Sequence, residues 1–449
     1  MLQDWLKKVS LVLFPPLKRL REDRNNWYQS YVEAQHQLHN YENEREELID
    51  QLFVWSRFFY HALPATPVRK GIFTEQEYPI VGLDNRFMKR LVAALEFGER
   101  FDKSSPNQYV WDILVKTHEP IVRLVRQNDT EAATLYLKRM AEQPLTHGYL
   151  QGEKMSQRLL NNEQQRSFWA NLAYDALLCL AGALECLPVE NIGVNTRAPI
   201  DSDAPDRLLD AVSLALDFEL EAPPVLEGLF GLPTRRGVFT FRHFMALYVA
   251  WRLSEKFPDR QVRLGEIGGG VGFVAYYAWQ LGFRDYFLID LPSVNLAQSW
   301  FLHHALPDAP LRLSSEADLF SLGPAVRIVS SGFLDLAPEK YFDAIINIDS
   351  LPEIAPEIVA EYIASMQKRT RLFFSINHEA RPPIDGDTYL NGLNCENRTS
   401  SKRHVLRQEP VAWHMNKFQG IHRLSRNRAW LRPGYIEEWY EFDNCNEKQ

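Results

Sequence analysis

Glu266-Ile267-Gly268-Gly269-Gly270-Val271-Gly272 follows a short apolar run and leads into a helical pattern, and a second apolar run, Phe287-Leu288-Ile289-Asp290, ends 24 positions after the glutamate. A strand that ends in a glycine-rich turn, opens a helix and is followed by a strand ending in an acid constrains the chain to a nucleotide-binding βαβ unit. The second acid is then placed for ribose hydroxyls. Short apolar runs at 326–329, 342–347 and 371–377 continue the rhythm as predicted strands, with helical stretches between them. Strands alternating with helices indicate an α/β fold, a Rossmann-like parallel sheet covered on both faces, with its ligand outside the carboxyl ends of the strands.

The glycine spacing narrows the ligand. A dinucleotide turn needs its third glycine one place later, where this chain has Phe273. A carboxylate at Glu266 is also unsuited to a pyrophosphate, because like charges at close range repel. It suits a cation. S-adenosylmethionine carries a sulfonium and an ammonium and no phosphate, and bare glycine backbone lets its methionine part lie close. The expected cofactor-binding residues are Glu266, Gly268, Gly270, Gly272 and Asp290, with Asn347 at the end of the fourth strand.

Methyl transfer to a hydroxyl needs an aligned acceptor and a base for its proton. His378 and Glu379 directly follow the fifth strand, and Asp349 follows the fourth. These three are the catalytic candidates, His378 first, because an ordinary imidazole titrates near neutrality. Packing and solvated loop charge remain alternative roles for His378 and Glu379. Ser350-Leu351-Pro352-Glu353 has the form of a capping box at a helix start. The scattered carboxylates assign no metal site.

The segment 241–377, roughly a third of the chain, resembles the bacterial sugar O-methyltransferases associated with surface polysaccharide and glycoside modification. The likeness is carried by Glu266-Ile267-Gly268-Gly269-Gly270 with Ala275-Tyr276-Tyr277, by Ile289-Asp290-Leu291-Pro292, by Ile346-Asn347-Ile348-Asp349-Ser350-Leu351-Pro352-Glu353, and by Ser375-Ile376-Asn377. It implies a Rossmann-like (class I) methyltransferase sheet, S-adenosylmethionine as cofactor with Asp290 on both ribose hydroxyls, and a sugar or glycan hydroxyl as acceptor. A methyltransferase for another small metabolite, or an inactive coiled-coil scaffold in polysaccharide assembly, remain the rival readings.

Three parts are expected: an amphipathic or coiled-coil-like helix over 1–63, a helical domain over 64–200, and the cofactor domain over 201–449. Trp27, Tyr31, Ala34, Leu38, Tyr41, Arg45, Leu48, Leu52, Trp55 and Phe59 recur at steps of four and three, broken only by Arg45, a heptad seam that predicts a homo-oligomer or a helix folded back on its own domain. Apolar bulk from Trp5 to Phe14 beside Lys7, Lys8, Lys18 and Arg19 also suits peripheral contact with an anionic inner membrane, or a packed terminus. His147-Gly148-Tyr149 is a candidate wall of the acceptor pocket. Arg235-Arg236 is a candidate anion contact or a plain surface pair. After the fifth strand an irregular stretch begins at Arg381, and 411–415 and 434–442 are predicted as a closing antiparallel pair. Trp413, Trp430 and Trp439 are candidates for stacking on a sugar or for the core. A net charge of −8 gives no reason to expect nucleic acid as a partner. Four cysteines without metal or disulfide spacing, and the lack of a signal peptide or spanning segment, place the chain in the cytoplasm.

Overall fold

The computed structural model describes residues 82–102, 110–186, 203–223, 225–321, 323–378, 384–385, 405–406, 409–432 and 434–443. All of them belong to one compact unit, Pro64–Gln449. The expected helix over 1–63, with its oligomer and membrane readings, lies outside the described residues, as do Glu379, Cys395, Cys445 and most of the stretch from 379 to 408.

Helices come first: α1 (Asn85–Glu99), α2 (Val110–Thr117), α3 (Glu119–Arg126), α4 (Thr130–Lys138), α5 (Gly152–Asn161), α6 (Glu163–Ala183) and α7 (Ala204–Leu216). Their starts are written locally. Asp84 accepts the Phe87 amide at 2.6 Å, Asp129 accepts the Ala132 amide at 3.0 Å, and Asn162 accepts the Gln164 and Gln165 amides at 2.9 and 3.1 Å. The hairpin β1 (Leu232–Thr234) with β2 (Gly237–Phe239) follows. At its turn Arg236 pairs with Asp210 at 2.7 Å and Arg235 with Asp206 at 3.5 Å, so this basic pair ties the hairpin to α7.

The second half runs α8 (Phe241–Lys256), β3 (Arg263–Ile267), α9 (Phe273–Gln280), β4 (Asp285–Asp290), α10 (Pro292–Ala305), β5 (Leu311–Leu313), β6 (Ala325–Ser330), β7 (Phe342–Ile348), α11 (Pro356–Arg369) and β8 (Thr370–His378). A two-residue ribbon, β9 (Ile384–Asp385) with β10 (Val405–Leu406), then α12 (Val411–Met415), β11 (Ile421–Arg428) and β12 (Tyr435–Phe442) complete it. The eight-stranded sheet has the order β11-β12-β8-β7-β3-β4-β6-β5. β3 through β8 pair in parallel, whereas β12 is antiparallel to both β8 and β11. This is the α/β Rossmann-like sheet expected of a methyltransferase, with its switch point at β3, whose neighbours β4 and β7 lead away in opposite directions.

One closing strand was misplaced: 411–415 is helix, and the antiparallel pair is β11 with β12. Val411 and Met415, four apart, are both buried in the core beside Val359, Tyr362 and Met366 of α11. A period of four is satisfied there, and a period of two is not. The helices ahead of the sheet pack directly on its own: α6 lies on α8, and α1 on α10 and β6. Both sides of the boundary expected near residue 200 fall within the unit Pro64–Gln449.

Candidate active site

The glycine turn between β3 and α9 is held from below by a polar ladder. Asn347, at the end of β7 and fully buried, donates Nδ2 to the Ile267 carbonyl at 2.8 Å and to Ser350 Oγ at 2.5 Å. Its Oδ1 accepts from Asn377 Nδ2 at 3.0 Å, and Ser350 Oγ reaches the same Ile267 carbonyl at 3.2 Å. Gly268, with φ +72°, donates its amide to Ile289 O at 2.9 Å, and a Cβ there would run into the Ser350 hydroxyl. Two expectations change as a result. Asn347 is not on the cavity wall: its amide is used up by protein groups, and it positions the turn. Ser350 does stand at the start of a helical turn, the 3₁₀ turn Leu351–Glu353, but it makes no capping box, because its hydroxyl is taken by Ile267 and Asn347; α11 starts at Pro356.

A cavity of about 380 Å³ opens above this turn at the carboxyl ends of β3, β4 and β7. Glu266, Gly268, Gly270 and Asp290 line it, as expected, together with Gly269 and Val271. Gly272 does not. With φ +101° it starts α9, and a Cβ there would press on Leu302 at 3.2 Å and Leu288 at 3.4 Å, so its role is close packing of helix on sheet.

Both cofactor-side acids are held nearly neutral. Glu266 is 2% exposed, and its Oε2 accepts from Tyr286 Oη at 2.8 Å. Burial pushes its carboxyl up to about 8, with the Tyr286 hydrogen bond opposing and Asp290 assisting. Asp290 accepts from the Leu291 amide at 2.8 Å, from Gln298 Nε2 at 2.9 Å and from the Gly270 amide at 3.3 Å. Burial still raises it to about 7. Tyr149 stands against the turn, since a Cβ on Gly270 would meet its Cβ at 3.3 Å. Its hydroxyl is buried with no hydrogen-bond partner, and burial followed by Asp290 raises its pKa. Gly148 and Tyr149 thus occupy the wall anticipated for His147-Gly148-Tyr149.

The far wall comes from distant segments. Asp349, at φ +64° just past β7, accepts from Arg432 Nη1 at its Oδ2 and from Tyr435 Oη at its Oδ1, each at 2.5 Å. Trp111 Nε1 of α2 donates to Glu353 Oε2 at 3.1 Å. Arg242, in the first turn of α8, donates Nη2 to Gly148 O at 2.7 Å. Asp349, Glu353, Trp111, Arg242 and Arg432 all line the cavity; His378 does not. His378 is 3% exposed at the end of β8 and meets Tyr435 edge-on, ring centroids 5.9 Å apart. Trp439 stacks on Phe374 at 4.3 Å, and Trp413 and Trp430 are exposed away from the cavity. Among the described residues no group of three or more His, Cys, Asp or Glu gathers in a metal-binding arrangement. No described helix is long and apolar enough to cross a membrane.

No protein-family model matches the sequence, and no curated protein matches it. Similar solved structures include the magnesium protoporphyrin IX methyltransferase ChlM from Synechocystis PCC 6803 with bound SAH, at 13% identity over 45% of this chain and 83% of that one, TM-score 0.30. The glycopeptide N-methyltransferase MtfA complexed with sinefungin is 12% identical over 44% of this chain and 86% of its own, TM-score 0.31. The PH0226 protein from Pyrococcus horikoshii OT3 is 12% identical over 44% and 90%, TM-score 0.30. At this similarity the likeness says nothing of activity, and the fold assignment rests on the strand order and register.

S-adenosylmethionine fits the residues present. Asp290, at the end of β4, and the glycine turn are both open to the cavity. Glu266 supplies latent negative charge that a cationic ligand would draw out. The orphaned Tyr149 hydroxyl is a donor awaiting an acceptor on the ligand.

Proposed function

We propose that the chain transfers the methyl group of S-adenosylmethionine to a sugar hydroxyl, on a glycan or glycoconjugate. The observation that carries the cofactor half is the pair of buried acids, Glu266 and Asp290, raised to about 8 and about 7 on either side of a glycine turn. A ligand that arrives with positive charge favours ionisation of such a pair and gains from it, whereas a pyrophosphate opposes it. Bound there, the cofactor supplies an electrophilic methyl on sulfur.

The protein's part is to hold the acceptor in line and take its proton. As the acceptor oxygen bonds to the methyl carbon, the carbon–sulfur pair stays on sulfur, and the hydroxyl proton must leave. Asp349 is the group assigned to receive it, because it stands at the cavity wall with its orientation fixed by Arg432 and Tyr435. Glu353, four residues further along the chain and steered by Trp111, is on the same wall. His378, expected first from sequence, acts in this reading through Tyr435 as a positioning residue. The sugar half is supported by the family resemblance and by the aromatic faces of Trp111, Tyr149 and Phe241 on the cavity wall, against which the C–H face of a sugar can lie.

Calorimetry with S-adenosylmethionine and S-adenosylhomocysteine tests the cofactor: both bind to the wild type, and an absence of heat sinks the reading. Mass spectrometry of cell-surface glycans with and without the protein tests the acceptor. A gain of one methyl group is expected, and an unchanged glycan profile removes the sugar assignment.

A further inference from the structure

Several carboxylates on the cavity wall already have partners within the protein. Asp349 is paired with Arg432 and Tyr435, Glu353 is held by Trp111, and Asp290 by two amides and Gln298. Two cations are not matched. Arg242 has one hydrogen bond, to the Gly148 carbonyl, while its Nε is buried without an acceptor, and it makes no ion pair among the described residues. Lys116, exposed at the end of α2, lines the same cavity and likewise makes none.

Arg242 is half-buried with its Nε shielded from solvent, and burial followed by Arg432 holds it down to about 10, still charged at neutral pH. Asp349 and Glu353 act on it only at longer range, each against a partner of its own. The cofactor as a whole does not neutralise these cations, and its carboxylate is the rival occupant that the 5′-methylthioadenosine comparison below distinguishes. The methionine part brings its ammonium along with its carboxylate, so it adds no net negative charge. Two unmatched cations on separate helices call for an anion that enters without a cation attached.

We propose that Arg242, with Lys116 at the mouth, forms a subsite for an anionic group on the acceptor, a sugar carboxylate or a sugar phosphate. The guanidinium presents paired N–H donors that suit either oxyanion, and the lysine adds a point charge that can follow it from solvent into the site. This deepens the methyl-transfer reading and rests on it: the acceptor becomes an acidic or phosphorylated sugar rather than a neutral one.

The test uses the full chain saturated with S-adenosylhomocysteine, titrated with D-glucuronate, glucose 6-phosphate and glucose by ligand-observed NMR or calorimetry. Wild type is expected to bind at least one of the anionic sugars about tenfold or more tightly than glucose, and which one is preferred tells carboxylate from phosphate. Arg242→Gln should erase that preference, a loss of about 10- to 100-fold. Its affinity for S-adenosylhomocysteine should stay within about threefold, which also reports that the variant is folded. Arg242→Lys should keep part of the preference, and Lys116→Gln should weaken it and steepen no other property. Equal binding of glucose and its anionic counterparts overturns the proposal, as does no binding of either anion. So does an Arg242→Gln variant that loses S-adenosylhomocysteine but keeps 5′-methylthioadenosine, since that assigns the arginine to the cofactor carboxylate. If wild type fails to bind S-adenosylhomocysteine at all, the methyl-transfer reading falls and takes this one with it; binding without anion preference sinks only the subsite.

Discussion

Replacing Glu266 by Gln should stabilise the ligand-free protein, and by an amount that grows with pH. In the folded chain Glu266 keeps its proton up to about 8, against an ordinary value of 4.5. Between these two values the folded state binds a proton that the unfolded state has released, so stability falls as pH rises. Each pH step in that window costs about 1.4 kcal/mol at most, and between pH 5 and pH 8 the loss from this one group sums to roughly 3 kcal/mol. Glutamine imitates the protonated acid: it carries no charge to desolvate, and its amide oxygen can still accept from Tyr286 Oη. Urea unfolding of wild type and Glu266→Gln at pH 5, 6.5 and 8 measures the effect. The two proteins should be close at pH 5 and separate progressively to about 3 kcal/mol at pH 8. The same substitution should weaken S-adenosylmethionine about tenfold or more, because the latent negative charge is gone. Stability and affinity then move in opposite directions, as expected for a group kept for function at a cost to the fold. A constant gap between the two proteins from pH 5 to pH 8 would refute the reasoning, since Glu266 would then titrate alike in folded and unfolded chains.

Three further outcomes are expected. Asp349→Asn tolerates the left-handed backbone at this position but removes the base, so turnover should fall about 100-fold or more with S-adenosylhomocysteine affinity within about twofold; it should also cost about 3 kcal/mol by leaving Arg432 unpaired, read by urea unfolding. His378→Ala should lower turnover about tenfold through Tyr435 and leave cofactor affinity nearly unchanged; wild-type turnover would remove His378 from the site altogether. Gly268→Ala combines a positive φ with a collision on Ser350, so it should cost at least about 1–3 kcal/mol and abolish cofactor binding measured by calorimetry.

What could be read in the sequence follows the range of the signal. The unit from β3 through the glycine turn to β4 is encoded in consecutive residues, and its place in the sheet follows from alternation of strands and helices. β11 was missed because Ile421-His422-Arg423-Leu424-Ser425-Arg426-Asn427-Arg428 is an edge strand exposed over most of its length, held by pairing with β12 and by Arg423 and Arg426 on Glu438. Such a strand carries no apolar alternation to find. The helix at 411–415 failed for the opposite reason: five residues are too few for a period of two to be told from a period of four. Trp111, Arg242 and Arg432 went unseen because the wall they form joins α2, α8 and the turn before β12, and no spacing within any one of these records the meeting.

The segment from Asn347 to Glu353 shows how one motif can serve two sites. Asn347 and Ser350 turn inward and hold the Ile267 carbonyl, which fixes the glycine turn and forbids a side chain at Gly268. Asp349 and Glu353 turn outward to the acceptor wall, where Arg432 and Trp111 hold them. The left-handed backbone at Asp349 makes this division possible, because it reverses the direction of the chain between the two inward residues. A resemblance built on the whole segment therefore mixes two kinds of constraint. Its inward half is demanded by any cofactor turn of this shape and carries no information about the acceptor. On the methyl-transfer reading proposed above, only the outward half, together with Arg242 and Lys116 from elsewhere in the chain, bears on what is methylated, and that half is rich in charge rather than in groups selective for a neutral sugar.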